Sequence, residues 1–158
     1  MLNREVSVMA SLLVAHEPSS TAVVRRALTR DLQPYPPAFV DEVVLVASEL
    51  VGNAIRHSPV DSSGQVRVGW DASPAGVTLR VTDASTEPPH VRPAGPSDLH
   101  GRGLRIVQAL AADWGFEAVD NGKTVWAHVS VHDPAHAARG RSGSSGSTGF
   151  RGQRMLAR

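Results

Sequence analysis

VDEVVLVASELVGNAIRH, residues 40–57, is the stretch on which the fold turns. Its apolar residues 40, 43, 44, 47, 50, 51 and 54 follow helical spacing, which makes this segment the central, most buried helix of the chain. At about 100° per residue, Glu49, Gly52, Asn53 and Arg56 collect on the opposite half of that helix. Glu49 and Asn53 stand one turn apart, so a carboxylate and a neutral carboxamide address the same small volume. A carboxamide oxygen ligates a hard cation such as Mg²⁺ without adding charge, and a neighbouring carboxylate accepts a proton from water or a hydroxyl. The same residues also suit an ordinary solvated helix face.

Outward from this helix the periodicity changes several times. On its N-terminal side, Ser11 to Ala15 reads as a short strand, and Ser19, Ser20 and Thr21 offer N-caps to a helix from about Ala22 to Leu32. Prolines 34, 36 and 37 stop that helix. On the C-terminal side, residues 65–71 and 77–83 alternate with period two around Ser73, Pro74, Ala75 and Gly76, a hairpin pattern. Residues 84–100 hold four prolines and no periodicity, as a loop does. A helix from Gly103 to about Ala112 follows, then strands near 114–119 and 123–131 around Asn121 and Gly122. This order predicts a two-layer α/β sandwich, a mostly antiparallel sheet with helices on one face.

The 158 residues, 41% of them apolar, suffice for one domain with a real core. Residues 11–133 are its expected extent, between an N-terminal extension (1–10) and a tail (134–158) that is rich in glycine, serine and arginine. That tail holds too few apolar residues to offset the entropy of ordering and is expected to be disordered. Without cysteine, neither a disulfide framework nor a thiolate metal site is available. No signal core or membrane-length apolar run is present, so a cytoplasmic protein is expected. The net charge is +1, and removing the five arginines after Asp133 leaves −4 on residues 1–133. Nucleic-acid binding rests on clustered Lys and Arg, so a mildly acidic domain argues against such a partner.

Asp83 closes its strand on the same side as Val77, Leu79 and Val81, and a carboxylate on an apolar face needs a partner. It suits an exocyclic amine such as that of adenine, and equally a turn in which aspartate caps the loop. Gly101, Arg102, Gly103 and Leu104 open a helix whose bare N–H groups and dipole favour an anion such as phosphate, although glycines also start helices for steric reasons alone. Gly122, Lys123 and Thr124 imitate the end of a P-loop, but Glu117 stands where that motif needs glycine and a strand follows. Ile106 breaks a Rossmann fingerprint. His132 and His136 lack a third ligand nearby, so no zinc pattern forms, and no nucleophile elbow is present.

Taken in order, ELVGNAIRH (49–57), VTDAS (81–85), GRGLRIV (101–107) and GKTVW (122–126) resemble the successive boxes of the GHKL, or Bergerat-fold, ATPases. That superfamily includes gyrase, heat-shock chaperones, histidine kinases and MutL. The chain resembles most its small stand-alone members, the anti-sigma factor serine kinases of the RsbW type and their actinobacterial relatives, over about residues 11–131. The resemblance implies ATP and Mg²⁺ as cofactors, with Glu49 as general base, Asn53 as Mg²⁺ ligand and Arg56 near the phosphates. It implies that Asp83 holds the adenine amine with help from Thr124 through water. Gly101 and Gly103 would let a lid close over the phosphates, and Arg102 would reach a phosphate or an acidic partner. One position departs from the family: where its first glycine box reads DxG, this chain has Ser85, whose hydroxyl can bond on the adenine side but whose side chain restricts the backbone.

Neither a phosphoacceptor-histidine helix pair nor a transducer domain is visible, which leaves a protein-directed activity. The resemblance implies an anti-sigma factor that binds a sigma factor and phosphorylates a serine of a STAS-type anti-anti-sigma protein, as a possible homodimer. The second expectation is a non-catalytic module in which nucleotide only orders the lid.

Overall fold

The structure, a computed structural model, describes residues 8–89 and 103–131. Five strands and three helices follow one another as β1 (Val8–Ala15), α1 (Ser20–Asp31), α2 (Pro37–His57), β2 (Gln65–Ser73), β3 (Gly76–Asp83), α3 (Gly103–Leu110), β4 (Asp113–Val119) and β5 (Gly122–Ser130). The sheet order is β1-β2-β3-β5-β4, and each neighbouring pair is antiparallel. This is the two-layer α/β arrangement that the periodicity predicts.

Alternation divides the sheet into two faces. Leu12, Val68, Val81, Val125 and Phe116 pair across it in one row, and Ala10, Trp70, Leu79, Ala127 and Trp114 in another. These rows join Val24 and Leu28 of α1, Val43, Val46, Leu50 and Val51 of α2, and Val107 of α3 in a single core. The rows that alternate with them, such as Leu13, Arg67, Thr82, Thr124 and Glu117, face the other way. Buried apolar side chains contribute about 1.5–3 kcal/mol each, so this alternation excludes a slip by one residue, which would turn every one of them outward.

The helices differ at their ends from the spacing-based expectation. The long helix starts at Pro37, three residues before Val40, because the proline ring presets φ for a first helical turn; the Pro36 carbonyl accepts from the N–H of Phe39 and Val40. At α1, Ser19 is the N-cap, yet it makes no side-chain cap bond. Its neighbour Ser20 instead donates to the Ala15 carbonyl at 2.6 Å and ties the helix to β1. β1 itself reaches back to Val8, inside the segment expected to be an extension. The third helix ends at Leu110.

Two further side-chain bonds tie the layers together. The Tyr35 phenol, between α1 and α2, donates to the Ser73 carbonyl of the β2–β3 hairpin at 2.7 Å. His16 Nε2 sits 3.1 Å from the Ser58 carbonyl, where α2 ends. Among the described residues no helix is long and apolar enough to cross a membrane.

Candidate functional site

The polar face of α2 lies against the start of α3. A Cβ added at Gly103 would stand 2.7 Å from Glu49 Oε2 and 3.2 Å from Asn53 Oδ1, so the first residue of α3 touches both side chains. Glu49 and Asn53 are accordingly half-buried rather than solvated. The bare N–H groups that open a helix, with the positive end of its dipole, therefore stand next to a carboxylate and a carboxamide. Arg56 is exposed and folds back one turn, its Nη2 donating to Asn53 Oδ1 at 3.0 Å. Leu104 is buried outside the main core, so what it can offer a ligand is its backbone. Gly101 and Arg102 lie outside the described residues.

A second group forms where β3 ends and β5 begins, on the same face of the sheet as the helices. Asp83 is 7% exposed and its Oδ1 accepts from the Ser85 N–H at 2.8 Å, which is the turn-capping role. The same oxygen accepts from Lys123 Nζ at 3.1 Å, in a buried ion pair. Ser85 is also buried, and its hydroxyl accepts from the Glu87 N–H at 3.2 Å, which starts the following loop. Among the described residues positive φ occurs only at Asn121, Gly64 and Gly76. Ser85 thus has no need of glycine's freedom.

The structure corrects the position of Thr124. Asp83 pairs with Lys123 and Thr82 with Thr124, and successive residues of a strand point to opposite faces. Thr124 therefore lies on the open face, bonded to the Thr82 hydroxyl at 2.7 Å, with the sheet between it and the Asp83 carboxylate. Lys123 holds the place beside Asp83. It was legible as a candidate: residue 123 shares its parity with Val125, Ala127 and Val129, as Asp83 does with Val81. Gly122 is likewise more than a turn residue, because a Cβ there would meet the Asp83 carbonyl oxygen at 2.0 Å.

A divalent cation fits this donor set only in one way. Among the described residues no three His, Asp or Glu gather into a cage. Mg²⁺ usually takes one or two protein oxygens and completes its shell with water and phosphate, and Asn53 Oδ1 with Glu49 beside it offers that minimum. The arrangement as a whole can accept an amine at Asp83, receive an anion where α3 begins, and take up a proton at Glu49.

Residues 14–129 match the family described as the histidine kinase-like ATPase domain. No curated protein matches the chain.

Proposed function

The chain belongs to the histidine kinase-like ATPase domain family, and from that premise we propose an ATP-dependent regulator: an anti-sigma factor that phosphorylates a serine of a STAS-type anti-anti-sigma protein. The observation that supports it best is the contact of Glu49 and Asn53 with the first residue of α3. That contact gathers a proton acceptor, a metal-ligand oxygen and a helix start suited to phosphate within one volume.

In this reading the Asp83 carboxylate accepts from the adenine amine, and Asn53 holds Mg²⁺. Held there with ATP, Mg²⁺ would neutralise charge on the phosphates. Arg56 and the backbone N–H groups of Gly103 and Leu104 bind and orient the phosphates. Glu49 takes the serine proton as the new O–P bond forms and the bond to ADP breaks. By the resemblance of the four boxes, Gly101 would let a lid close over the phosphates and Arg102 would reach a phosphate or an acidic partner. A sigma factor and a homodimer complete the proposal and rest on the resemblance of the four boxes, and a cytoplasmic location rests on the composition.

A second reading, a non-catalytic module that regulates by sequestration, is favoured by the Arg56 bond to Asn53 Oδ1, because it occupies the metal-ligand atom. Purified protein with labelled ATP and its cognate antagonist separates the two. The kinase reading expects stoichiometric phosphorylation that falls by roughly 10² to 10⁴ in Glu49→Gln while ATP binding survives. No transfer by the wild type to a verified partner supports sequestration instead.

A further inference from the structure

Lys123 is the chain's single lysine, and it is 8% exposed. A buried ion pair is on average no more stabilising than apolar side chains of the same volume. The residues that continue these two strands on the same face are Leu79, Val81, Val125 and Ala127, all buried and apolar. Packing therefore gives no reason for a charged pair at this point. The pairing is also incomplete: both bonds to Asp83 fall on Oδ1, and one of three ammonium protons is used. Among the described residues, Asp83 Oδ2 and two protons of Lys123 are left for a ligand.

An acceptor and a donor side by side complement the edge of adenine, where the 6-amino group donates and the ring nitrogen on either side of it accepts. We propose that Lys123 reads the base together with Asp83: the carboxylate accepts from the 6-amino group, and Lys123 Nζ donates to the adjacent ring nitrogen, N1 or N7. The ammonium is a compact donor that can turn its protons toward both the carboxylate and the base, which a planar guanidinium cannot do in the same space. The bond from Lys123 also aims Asp83 before nucleotide arrives. This inference rests on the ATP-binding reading above and adds to it the residue that tells adenine from other bases.

Calorimetry with four triphosphates tests it: ATP, 1-deaza-ATP, 7-deaza-ATP and purine riboside triphosphate, which lacks the amine. With the wild type, at least one deaza analogue is expected to bind roughly tenfold or more weakly than ATP, the worth of one charge-assisted hydrogen bond. In Lys123→Met that gap should close to within about twofold. Because Lys123→Met leaves the Asp83 carboxylate buried without its cation, the double variant Asp83→Asn/Lys123→Met, with no lone charge, is measured alongside and should also show no gap. Equal binding of ATP and both deaza analogues by the wild type overturns the proposal, as does a gap that persists in either variant. Failure of the underlying reading looks different: the wild type then binds no ATP, or binds purine riboside triphosphate as tightly as ATP.

Discussion

At Gly122 the constraint is distance rather than conformation. A methyl group there would collide with the Asp83 carbonyl oxygen, while at Gly69 the nearest atom to an added Cβ is 3.6 Å away. Gly122→Ala is therefore expected to destabilise by about 1–3 kcal/mol or more, and Gly69→Ala to leave stability within about 1 kcal/mol of wild type. Urea unfolding of the two variants checks this; equal midpoints would show that a methyl group fits between β3 and β5. The neighbouring Asp83→Asn keeps an acceptor for the Ser85 N–H but leaves Lys123 buried without a counter-charge. ATP affinity should fall at least about tenfold, with loss of a charge-assisted bond worth roughly 1.5–3 kcal/mol. Nucleotide titration reads the affinity, and a melting curve separates it from the effect on folding.

At the scale of the element, α2 carries its two functions on opposite faces, and its length makes this possible. Its buried stripe anchors the core while Glu49 and Asn53 reach the start of α3. Asn53→Ala removes the proposed metal-ligand oxygen and should weaken Mg²⁺-ATP binding and phosphoryl transfer together, whereas Glu49→Gln should spare binding. Titrating both variants with and without Mg²⁺ distinguishes the roles; unchanged affinity in Asn53→Ala would remove it from the metal site. The link between α1 and α2 depends on Tyr35, whose phenol burial pushes above its ordinary value. Tyr35→Phe should cost about 0.5–1.5 kcal/mol through loss of the bond to Ser73. A raised folded value means that the native state holds this proton more tightly than the unfolded chain does. That part of the stability is therefore full below tyrosine's ordinary value and is lost as pH rises through the higher folded value. The gap between wild type and Tyr35→Phe should narrow in alkali above that ordinary value, and urea midpoints at a series of pH values measure it.

For the molecule as a whole, the residues assigned to nucleotide come from α2, the end of β3, the start of α3 and the start of β5. Strands β3 and β5 are hydrogen-bonded neighbours, although α3 and β4 separate them in the chain. A ligand that touches all four segments binds only the folded state, so it must raise global stability. At a hundredfold excess over its Kd, ATP should add about 2.7 kcal/mol, which in a domain of this size raises Tm by on the order of 10 °C. Thermal melts with and without Mg²⁺-ATP make the measurement. An unchanged Tm under saturating nucleotide would mean that these segments do not share one ligand.

The sequence by itself determined the elements and their faces, because helical and strand periodicities are local properties of the chain. The stripe from Val40 to Ala54 and the alternation from Val77 to Asp83 were enough to place α2, β3 and the sandwich class. Helix ends were less legible: Pro37 reads as a stop but serves as a start, since the same fixed φ suits both. Which strands pair, and in what register, depends on contacts between distant segments that no local pattern encodes. Only the tertiary structure therefore decided that Lys123 rather than Thr124 stands beside Asp83, because β5 meets β3 with residue 123 opposite residue 83. It likewise decided that Gly103 closes on Glu49 and Asn53, a contact set by how α3 packs across α2 and not by the spacing of either.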